Sequence, residues 1–247
     1  IGALDTTLKY TENAATAIVD SNATVIDPDS ANLEGGAVSV AISQNALASD
    51  RLEIRNVGTG AGQIGVSGTS VLFAGTVIGS FTGGNGASAL VVSLNTNATV
   101  ASVQALLRNV TYRNDSDNPG TLTRTVSVTM SDGDGGTSEA VSKLIEVIAR
   151  NDAPVIAGFD TTVNYTEGAA AVLVDNNATV SDADSANCEG GRLVVPLIAN
   201  GQSTDRLEIP NQGTGAGQIG WDGTTVLYGG QSIGTFSGGV GTGALIV

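Results

Sequence analysis

The sequence contains no histidine and only one cysteine, Cys188. The absence of histidine excludes Ser-His-Asp and Cys-His catalytic arrangements and His-ligated zinc sites. A single cysteine cannot form an internal disulfide bond. The counterpart of Cys188 in the internal repeat described below is Leu33, which favours a small buried hydrophobic side chain at position 188.

Aromatic residues make up only 4% of the chain, and long apolar runs are lacking. The run ALVVSL at 89–94 is far too short to cross a bilayer, so this segment predicts no membrane insertion. Glycine is abundant, with 34 residues, alongside many Thr, Ser, Val and Asn. This composition is typical of short strands joined by turns. With 247 residues, of which 41% are hydrophobic, the chain can form one large or two ordinary domains.

Positive charge is also scarce, since 10 Lys and Arg face 24 Asp and Glu, for a net charge of −14. Nucleic acid is therefore excluded as an expected partner, because phosphate binding needs clustered Lys and Arg. Carboxylates in such excess repel one another in a compact state unless cations neutralise them. A divalent cation is the expected partner of this charge.

A long internal repeat organises the chain. Residues 1–36 return as residues 156–191, and the offset of 155 holds without a gap until Val92 aligns with Val247, with about 53 of the 92 aligned positions identical. A unit of this length is a whole domain and exceeds solenoid repeats. We therefore predict a first module over 1–150, a linker over 151–155 (NDAPV) and a second module over 156–247.

The second copy has no counterpart of residues 93–150, and the first begins where a copy would follow its own linker. These features predict that the chain is a piece of something longer and that the second module, whose last run is GALIV, is incomplete. A sandwich without its final strands would expose a sheet edge. We expect continuation of the polypeptide or an adjacent subunit to complete it. Continuation of the polypeptide is favoured over an adjacent subunit, since residues 93–150 of each chain already complete the first module of that chain.

Periodicity predicts strands with one helix. The predicted strands are TTLKYTE, TAIVD, AVSVAIS, RLEIRN, TSVLFAG, TVIGSF and ALVVSL, followed by a final hairpin of strands 123–131 and 139–149. Within 97–112, the apolar residues Val100, Val103, Leu107 and Val110 recur at helical spacing, with Thr99 available as a cap. This segment therefore predicts one short helix that leads into a strand. The fold class predicted is all-β, with tandem Ig-like β-sandwich modules that each carry one short helix.

Two glycine-rich motifs invite functional interpretations that their context does not support. GAGQIG, at 60–65 and 215–220, matches a dinucleotide-binding pattern, but turn and strand residues follow it where a helix is required. DGDGG, at 132–136, begins like an EF-hand loop, but Gly136 and Lys143 occupy ligand positions. Turns are the better interpretation of both.

We do not expect an enzyme. A carboxylate pair for glycosidic cleavage stays open from sequence alone. The acidic residues, however, cluster in predicted turns, and enzymes rarely carry a whole active site twice in tandem.

Acidic clusters recur in order in both copies and carry the main functional signal. They are Glu12; Asp27 and Asp29 with Asn32; Asp115 and Asp117; Asp132 and Asp134; Asn151 and Asp152; and in the second copy Glu167, Asp182, Asp184 and Asn187. Calcium takes six to eight hard oxygen ligands, so several of these loops would have to converge. The alternative is ordinary turn chemistry, since Asp and Asn bond to their own backbone in turns.

The order of these clusters resembles the cadherin-like superfamily, especially the repeats of large bacterial surface proteins and adhesins. YTENA resembles its first Glu motif, DPDSAN and DADSAN its Asp-x-Asp…Asn loop, DSD its acidic motif before a strand, SDGDGGTS its last acidic turn and RNDAPV its linker. The unit is longer than an ordinary cadherin domain, and residues 56–88 have no clear counterpart there.

The resemblance implies that Ca²⁺ stiffens the joint between successive modules. The residues implied at the joint inside this chain are Glu12, Asp115, Asp117, Asn151, Asp152, Asp182, Asp184 and Asn187. Those implied at the N-terminal pole of the first module are Asp27, Asp29, Asn32, Asp132 and Asp134.

The resulting prediction is a non-enzymatic, calcium-stiffened tandem structural module of a secreted or cell-surface bacterial protein. It would form an adhesin stalk or an extracellular filament body, with further copies of the repeat in cis and possible self-association into filaments. The alternative is a carbohydrate- or ligand-binding surface module using Trp221, Asp222 and Tyr228. Their first-copy counterparts are Val66, Ser67 and Phe73, so such a site would be private to the second copy.

Overall fold

The computed structural model describes residues 1–2, 4, 7–30, 32–160 and 162–247 and is built mainly from β-strands. The predicted all-β class is confirmed. The chain divides into a first unit, Ile1–Asp184, and a second unit, Ser185–Val247. The division falls inside the second copy of the repeat, and the module boundaries at 150 and 155 stay predictions. Each unit is described by itself.

The first copy of the repeat contains eleven strands and one helix among its described residues. They are β1 Leu8–Thr11, β2 Ala17–Ile18, β3 Ala37–Gln44, β4 Asp50–Ile54, β5 Ile64–Ser67, β6 Ser70–Phe73, β7 Thr76–Thr82, β8 Leu90–Leu94, α1 Val100–Leu107, β9 Val110–Asn114, β10 Arg124–Ser131 and β11 Val141–Ile148. Of these, β5 is the strand that the sequence pattern did not predict, because its IGVS run follows the turn glycines directly.

The strands form two sheets. The larger has the order β1-β11-β10-β3-β8-β7-β6-β5 and the smaller the order β2-β9-β4. Neighbours pair antiparallel except β1 and β11, which run parallel with Leu8 opposite Ile145. The DGDGG turn joins β10 to β11, and GAGQIG leads into β5, so neither motif precedes a helix.

Strict alternation of apolar residues fixes the register at the centre of the large sheet. Along β3, every second residue from Val38 to Ile42 is buried, and β10 shows the same alternation. Val38 lies opposite Met130, and Val40 opposite Val128. A slip of one residue would turn every apolar side chain to the wrong face, so burial specifies this pairing.

One core receives side chains from both sheets and from α1. Val40 of the large sheet, Leu52 and Tyr112 of the small sheet, and Val103 and Leu106 of the helix belong to the same buried cluster. Burying a side chain of this size contributes about 1.5–3 kcal/mol. The shared core therefore holds β9 in a fixed position.

The helix α1 begins as the sequence predicts. Thr99 is its N-cap: its hydroxyl accepts from the Ser102 N–H at 3.2 Å, and the Ser102 hydroxyl accepts from the Thr99 N–H at 2.9 Å. This reciprocal capping box satisfies two backbone donors that a helix start leaves without partners.

The second copy of the repeat carries short strands. In the first unit, β12 Val155–Ala157 pairs with β13 Thr179–Ser181. The second unit contains β14 Val194–Val195, β15 Ile219–Asp222, β16 Thr225–Tyr228, β17 Gln231–Thr235, β18 Ser237–Gly238 and β19 Leu245–Ile246, in sheets ordered β14-β19-β18 and β15-β16-β17. No helix occurs among residues 185–247.

Cys188 corrects one sequence prediction, because it is exposed. Its counterpart Leu33 is fully buried, and the Leu33 N–H donates to Ala98 O at 2.9 Å. Residues 93–150, which contain Ala98, cover the first copy, whereas residues 156–247 repeat only residues 1–92, and position 188 is open to solvent in this structure.

Candidate metal centre

Glu12 is the buried acid at the centre of the candidate site. It follows β1 directly, and its N–H donates to Ile148 O at 2.9 Å, which extends the parallel pairing of β1 with β11. Its side chain is held in place because Oε2 accepts the Arg150 N–H at 2.7 Å. Glu12 is only 4% exposed, and its other oxygen, Oε1, has no hydrogen-bond partner.

Two further acids join Glu12 from different segments. Asp117 lies in the loop after β9, where Asn13 Nδ2 donates to its Oδ1 at 3.3 Å. Asp152 lies in the linker. One carboxylate oxygen from each of Glu12, Asp117 and Asp152 lies within 4.8 Å of the other two. This group could hold a metal ion.

Asp184 belongs to the same neighbourhood of the first unit. Its Oδ2 accepts the Asp152 N–H at 3.3 Å, while the N–H of Asp184 donates to Asp182 Oδ1 at 3.3 Å. Asp184 Oδ1 and Asp152 Oδ2 are buried and, like Glu12 Oε1, have no hydrogen-bond partner. An unsatisfied buried acceptor costs about 1–3 kcal/mol, and more when it is charged.

The electrostatics of the group favour a cation. Among the described residues, no Lys or Arg forms a salt bridge with Glu12, Asp117, Asp152 or Asp184. Like charges that lie this close repel unless a cation neutralises them. Carboxylate oxygens are the ligands that hard divalent cations take. A cation bound by Glu12, Asp117 and Asp152 would neutralise this group of acids.

Three other residues predicted for the joint make different contacts. Asp115 forms ion pairs with Arg51, at 2.8 Å, and with Arg113, so two guanidinium groups already neutralise its charge. Asn151 Nδ2 donates to the Asp152 carbonyl at 2.6 Å. Asn187, in the second unit, accepts the Glu189 N–H at 3.1 Å. The structure does not bring Asp115 into the group of three acids.

The residues predicted for the N-terminal pole form three turns, of which the first and the third touch. Asp27 Oδ1 accepts the N–H groups of Asp29 and Ser30, Asn32 Oδ1 accepts that of Glu34, and Asp132 Oδ1 accepts those of Asp134 and Gly136. The Ser30 hydroxyl contacts Asp134 Oδ2 at 3.3 Å. These are Asx-turn contacts. Within the described part of the chain, these acids form no second group of three, and their calcium role stays a prediction.

The turn at 132–136 lies very close to the loop before β3. Gly133 has φ +93°, and a Cβ built on it would lie 1.9 Å from Glu34 O. Only glycine fits such an approach without a shift of the backbone. The Gly-Asp-rich turn is therefore a packing feature of this pole.

Asp50, the first residue of β4, has a structural role. Asp50 is fully buried and forms a salt bridge with Arg124 at 3.3 Å, while the Tyr112 hydroxyl donates to it at 2.6 Å. Burial opposes ionisation, but hydrogen bonds from Tyr112, the Leu47 N–H, Asn114 and Arg124 together lower the Asp50 pKa. Asp50 is thus committed to the core.

The aromatic residues of the alternative ligand site lie on the β15–β16 hairpin. Trp221 is 39% exposed, and its indole N–H donates to Ile209 O at 3.0 Å. The Trp221 ring meets Phe236 edge-on, with centroids 5.9 Å apart. Tyr228 is 53% exposed, and Asp222 is exposed as well.

Asn13 and the Arg150 backbone are the site components that sequence reasoning missed. Both adjoin predicted residues, and no motif marks an amide donor or a backbone N–H. Glu167, the counterpart of Glu12, is exposed.

Comparison with known proteins adds no relative to this picture. No protein-family model matches the chain, and no curated protein or solved structure does either. Within the described residues, no helix combines the length and the hydrophobicity needed to cross a membrane.

Proposed function

We propose that the chain is a non-enzymatic tandem structural module in which Ca²⁺ fastens the linker to the first module. The parent would be a secreted or cell-surface protein in which further copies of the repeat form an adhesin stalk or a filament body. The residues that hold the ion would be Glu12, Asp117, Asp152 and Asp184.

The observation that carries the proposal is the set of three buried carboxylate oxygens without partners, Glu12 Oε1, Asp152 Oδ2 and Asp184 Oδ1. They come from the end of β1, from the linker and from the loop after β13. One ion that takes oxygens from all three segments would tie the linker to the body of the first copy. Cross-linking of this kind is a mechanical function, and it needs no substrate.

Calcium suits this set better than magnesium. Ca²⁺ accepts 6–8 oxygens at variable angles, whereas Mg²⁺ demands a near-ideal octahedron at shorter distances. The acids come from separate segments, and backbone carbonyls or water can complete the coordination of the larger ion. The net charge of −14 adds a general attraction for divalent cations.

The repeat supports a structural role, because an array of similar modules extends a surface protein by simple addition. The parallel pairing of β1 with β11 also supports it. This pairing brings the first strand beside the last, so Glu12 and the linker lie at the same end of the module.

The test is thermal unfolding with excess Ca²⁺, with excess Mg²⁺ and with chelator. At a hundredfold excess over Kd, one bound ion contributes about 2.7 kcal/mol, which raises the Tm by roughly 5–10 °C for a unit of this size. We expect Asp152→Asn to abolish most of this response, because it removes one charge and keeps the shape of the side chain. The matched control, Asp222→Asn, lies on an exposed hairpin outside the group and should keep the full response.

Proteolysis at Arg150 gives a local readout of the same proposal. An arginine-specific protease should cleave the Arg150–Asn151 bond more slowly with Ca²⁺ in the wild-type chain, but not in Asp152→Asn. Running the Asp222→Asn control in the same buffers removes any effect of Ca²⁺ on the protease. Melting and cleavage that are indifferent to Ca²⁺ would contradict the proposal, and a larger response to Mg²⁺ would reassign the ion.

A further inference from the structure

The pentapeptide DRLEI occurs twice, at 50–54 and at 205–209. In the first copy it is the strand β4, which pairs with β9 along its whole length. In the second unit it belongs to no strand, and Arg206 makes only a single backbone bridge, to Val240. Because the two sequences are identical, local strand propensity cannot explain the difference. The difference comes from what lies beside each segment.

One edge of the pentapeptide is held in the same way in both copies. In the first, the Leu52 N–H donates to Gly84 O at 2.8 Å and the Gly86 N–H to Asp50 O at 2.9 Å. In the second, the Leu207 N–H donates to Gly239 O at 2.8 Å and the Gly241 N–H to Asp205 O at 2.9 Å. Residues 205–209 therefore already have the backbone course of β4 along this edge.

The opposite edge differs between the copies. In the first, β9 covers it, and the Arg55 N–H donates to Asn109 O at 2.8 Å just beyond the strand. In the second unit, no strand pairs with 205–209 among the described residues. A segment that already follows the backbone path of a strand, and whose outer edge is open, can bind an added strand through main-chain hydrogen bonds.

The side chains define what this added strand must carry. Asp50 accepts the Leu47 N–H at 2.8 Å, and Asp205 accepts the Gln202 N–H at 2.7 Å in the same way. In the first copy, the other side-chain partners of Asp50 are the Tyr112 hydroxyl and the Asn114 amide, both on β9, and the Arg124 guanidinium on β10, and all three residues are buried. Asp205 forms no salt bridge among the described residues. An occupant that brings the hydroxyl and amide of a β9 strand, followed by the guanidinium of a β10 strand, complements its charge.

We propose that residues 205–209 form a docking edge for an antiparallel strand with the sequence VTYRN of β9, delivered by a further copy of residues 93–150. The first copy's own β9 cannot serve, because β2 and β4 flank it on both sides and Tyr112 is fully buried. The occupant is therefore an additional segment of this sequence. The inference does not depend on the calcium site.

The test is amide hydrogen exchange, in which the pentapeptide provides its own reference. Residues 50–54 and 205–209 have the same sequence, so their unprotected exchange rates are nearly equal. In the chain 1–247, we expect strong protection at 50–54 and weak protection at 205–209. Appending a copy of residues 93–150 after Val247, which aligns with Val92, should raise protection at 205–209 by about 100-fold or more.

Two substitutions in the extended chain separate specific docking from general compaction. Asp205→Asn removes the charge that the added Arg124 counterpart should meet, and most of the gained protection at 205–209 should be lost. Asp222→Asn makes the same chemical change on the exposed β15–β16 hairpin and should leave the gain intact.

Protection at 205–209 that is unchanged by the extension, with 50–54 still protected, overturns the proposal. So does protection in the unextended chain that rises with protein concentration, because the occupant would then be a second molecule. Should the extension disturb 50–54, a synthetic peptide of residues 107–116 added to the unextended chain decides. No peptide-dependent protection at 205–209 would then overturn the proposal.

Discussion

At the scale of single residues, the most consequential feature is the ion pair of Asp50 with Arg124. Both side chains are fully buried. Taking two charges out of water is costly, and the cost is offset only when the remaining polar atoms also find partners. Here Tyr112 and Asn114 each donate to Asp50 at 2.6 Å, and Arg124 also donates to the carbonyls of Gly120 and Leu122. The pair is thus fully satisfied.

Removing one member of this pair should be strongly destabilising. We expect Arg124→Met to lower the free energy of unfolding by about 3–5 kcal/mol, because Asp50 is left as an unpaired buried charge. The double variant with Asp50→Asn should lose less than the sum of the two single changes. Urea unfolding measures all three. Lys9→Met, which breaks an exposed pair with Glu146, is the control and should cost under about 1 kcal/mol.

The same residues predict how stability depends on pH. The folded chain lowers the Asp50 pKa below 3.8, so ionised Asp50 stabilises the fold at higher pH, and this contribution is lost as pH falls below about 4. Burial and the Asp50 contact raise the Tyr112 pKa above 10.0. Stability should therefore also fall as pH rises past about 10, where the unfolded tyrosine ionises and the folded one does not.

Urea unfolding across the pH range checks both limbs. Tyr112→Phe should flatten the alkaline limb, whereas Tyr228→Phe, at an exposed position, should leave it unchanged. An alkaline limb that is the same in both variants would contradict the assignment to Tyr112.

At the scale of elements, the helix α1 depends on its cap. It has only eight residues, so its stability comes from its buried side and from its satisfied N-terminus. We expect Thr99→Ala to cost about 1 kcal/mol by removing the acceptor of the Ser102 N–H. Thr121→Ala, at an exposed loop position, is the matched control. Equal midpoints of thermal unfolding for the two variants would show that the capping box adds nothing.

Elements with strong local signals were predictable from sequence. Thr99 and the spacing of Val100, Val103 and Leu107 located α1, because a cap and a helical period are local properties. The final hairpin was located in the same way by its Gly-Asp turn. The strand β5 was missed, because a four-residue run beside turn glycines carries little periodicity. Strand order could not be predicted from the sequence either, because it depends on contacts between residues that lie far apart in the chain.

At the scale of the whole molecule, the two copies of the repeat differ in the burial of equivalent residues, although their sequences are similar. The two copies share about 53 of 92 aligned positions. Even so, Tyr10 is 2% exposed while its counterpart Tyr165 is 61% exposed. Tyr10 meets Tyr112 edge-on, with ring centroids 5.2 Å apart, and residue 112 belongs to the stretch that the second copy does not repeat. The presence of residues 93–150 therefore decides whether a residue that the two copies share is buried or exposed.

The sequence by itself determined the repeat, the all-β class, the helix with its cap, and the identity of the acids that could bind a cation. All of these follow from local pattern and charge. Only the tertiary structure decided which acids meet. It placed Asp117 with Glu12 and Asp152 but engaged Asp115, two residues away, with Arg51 and Arg113. The reason is physical: Asp115 directly follows β9, next to Arg113 of that strand and Arg51 of the paired β4, whereas Asp117 lies further along the loop, where Asn13 donates to it. Which partner each acid reaches therefore depends on segments that pair across the fold.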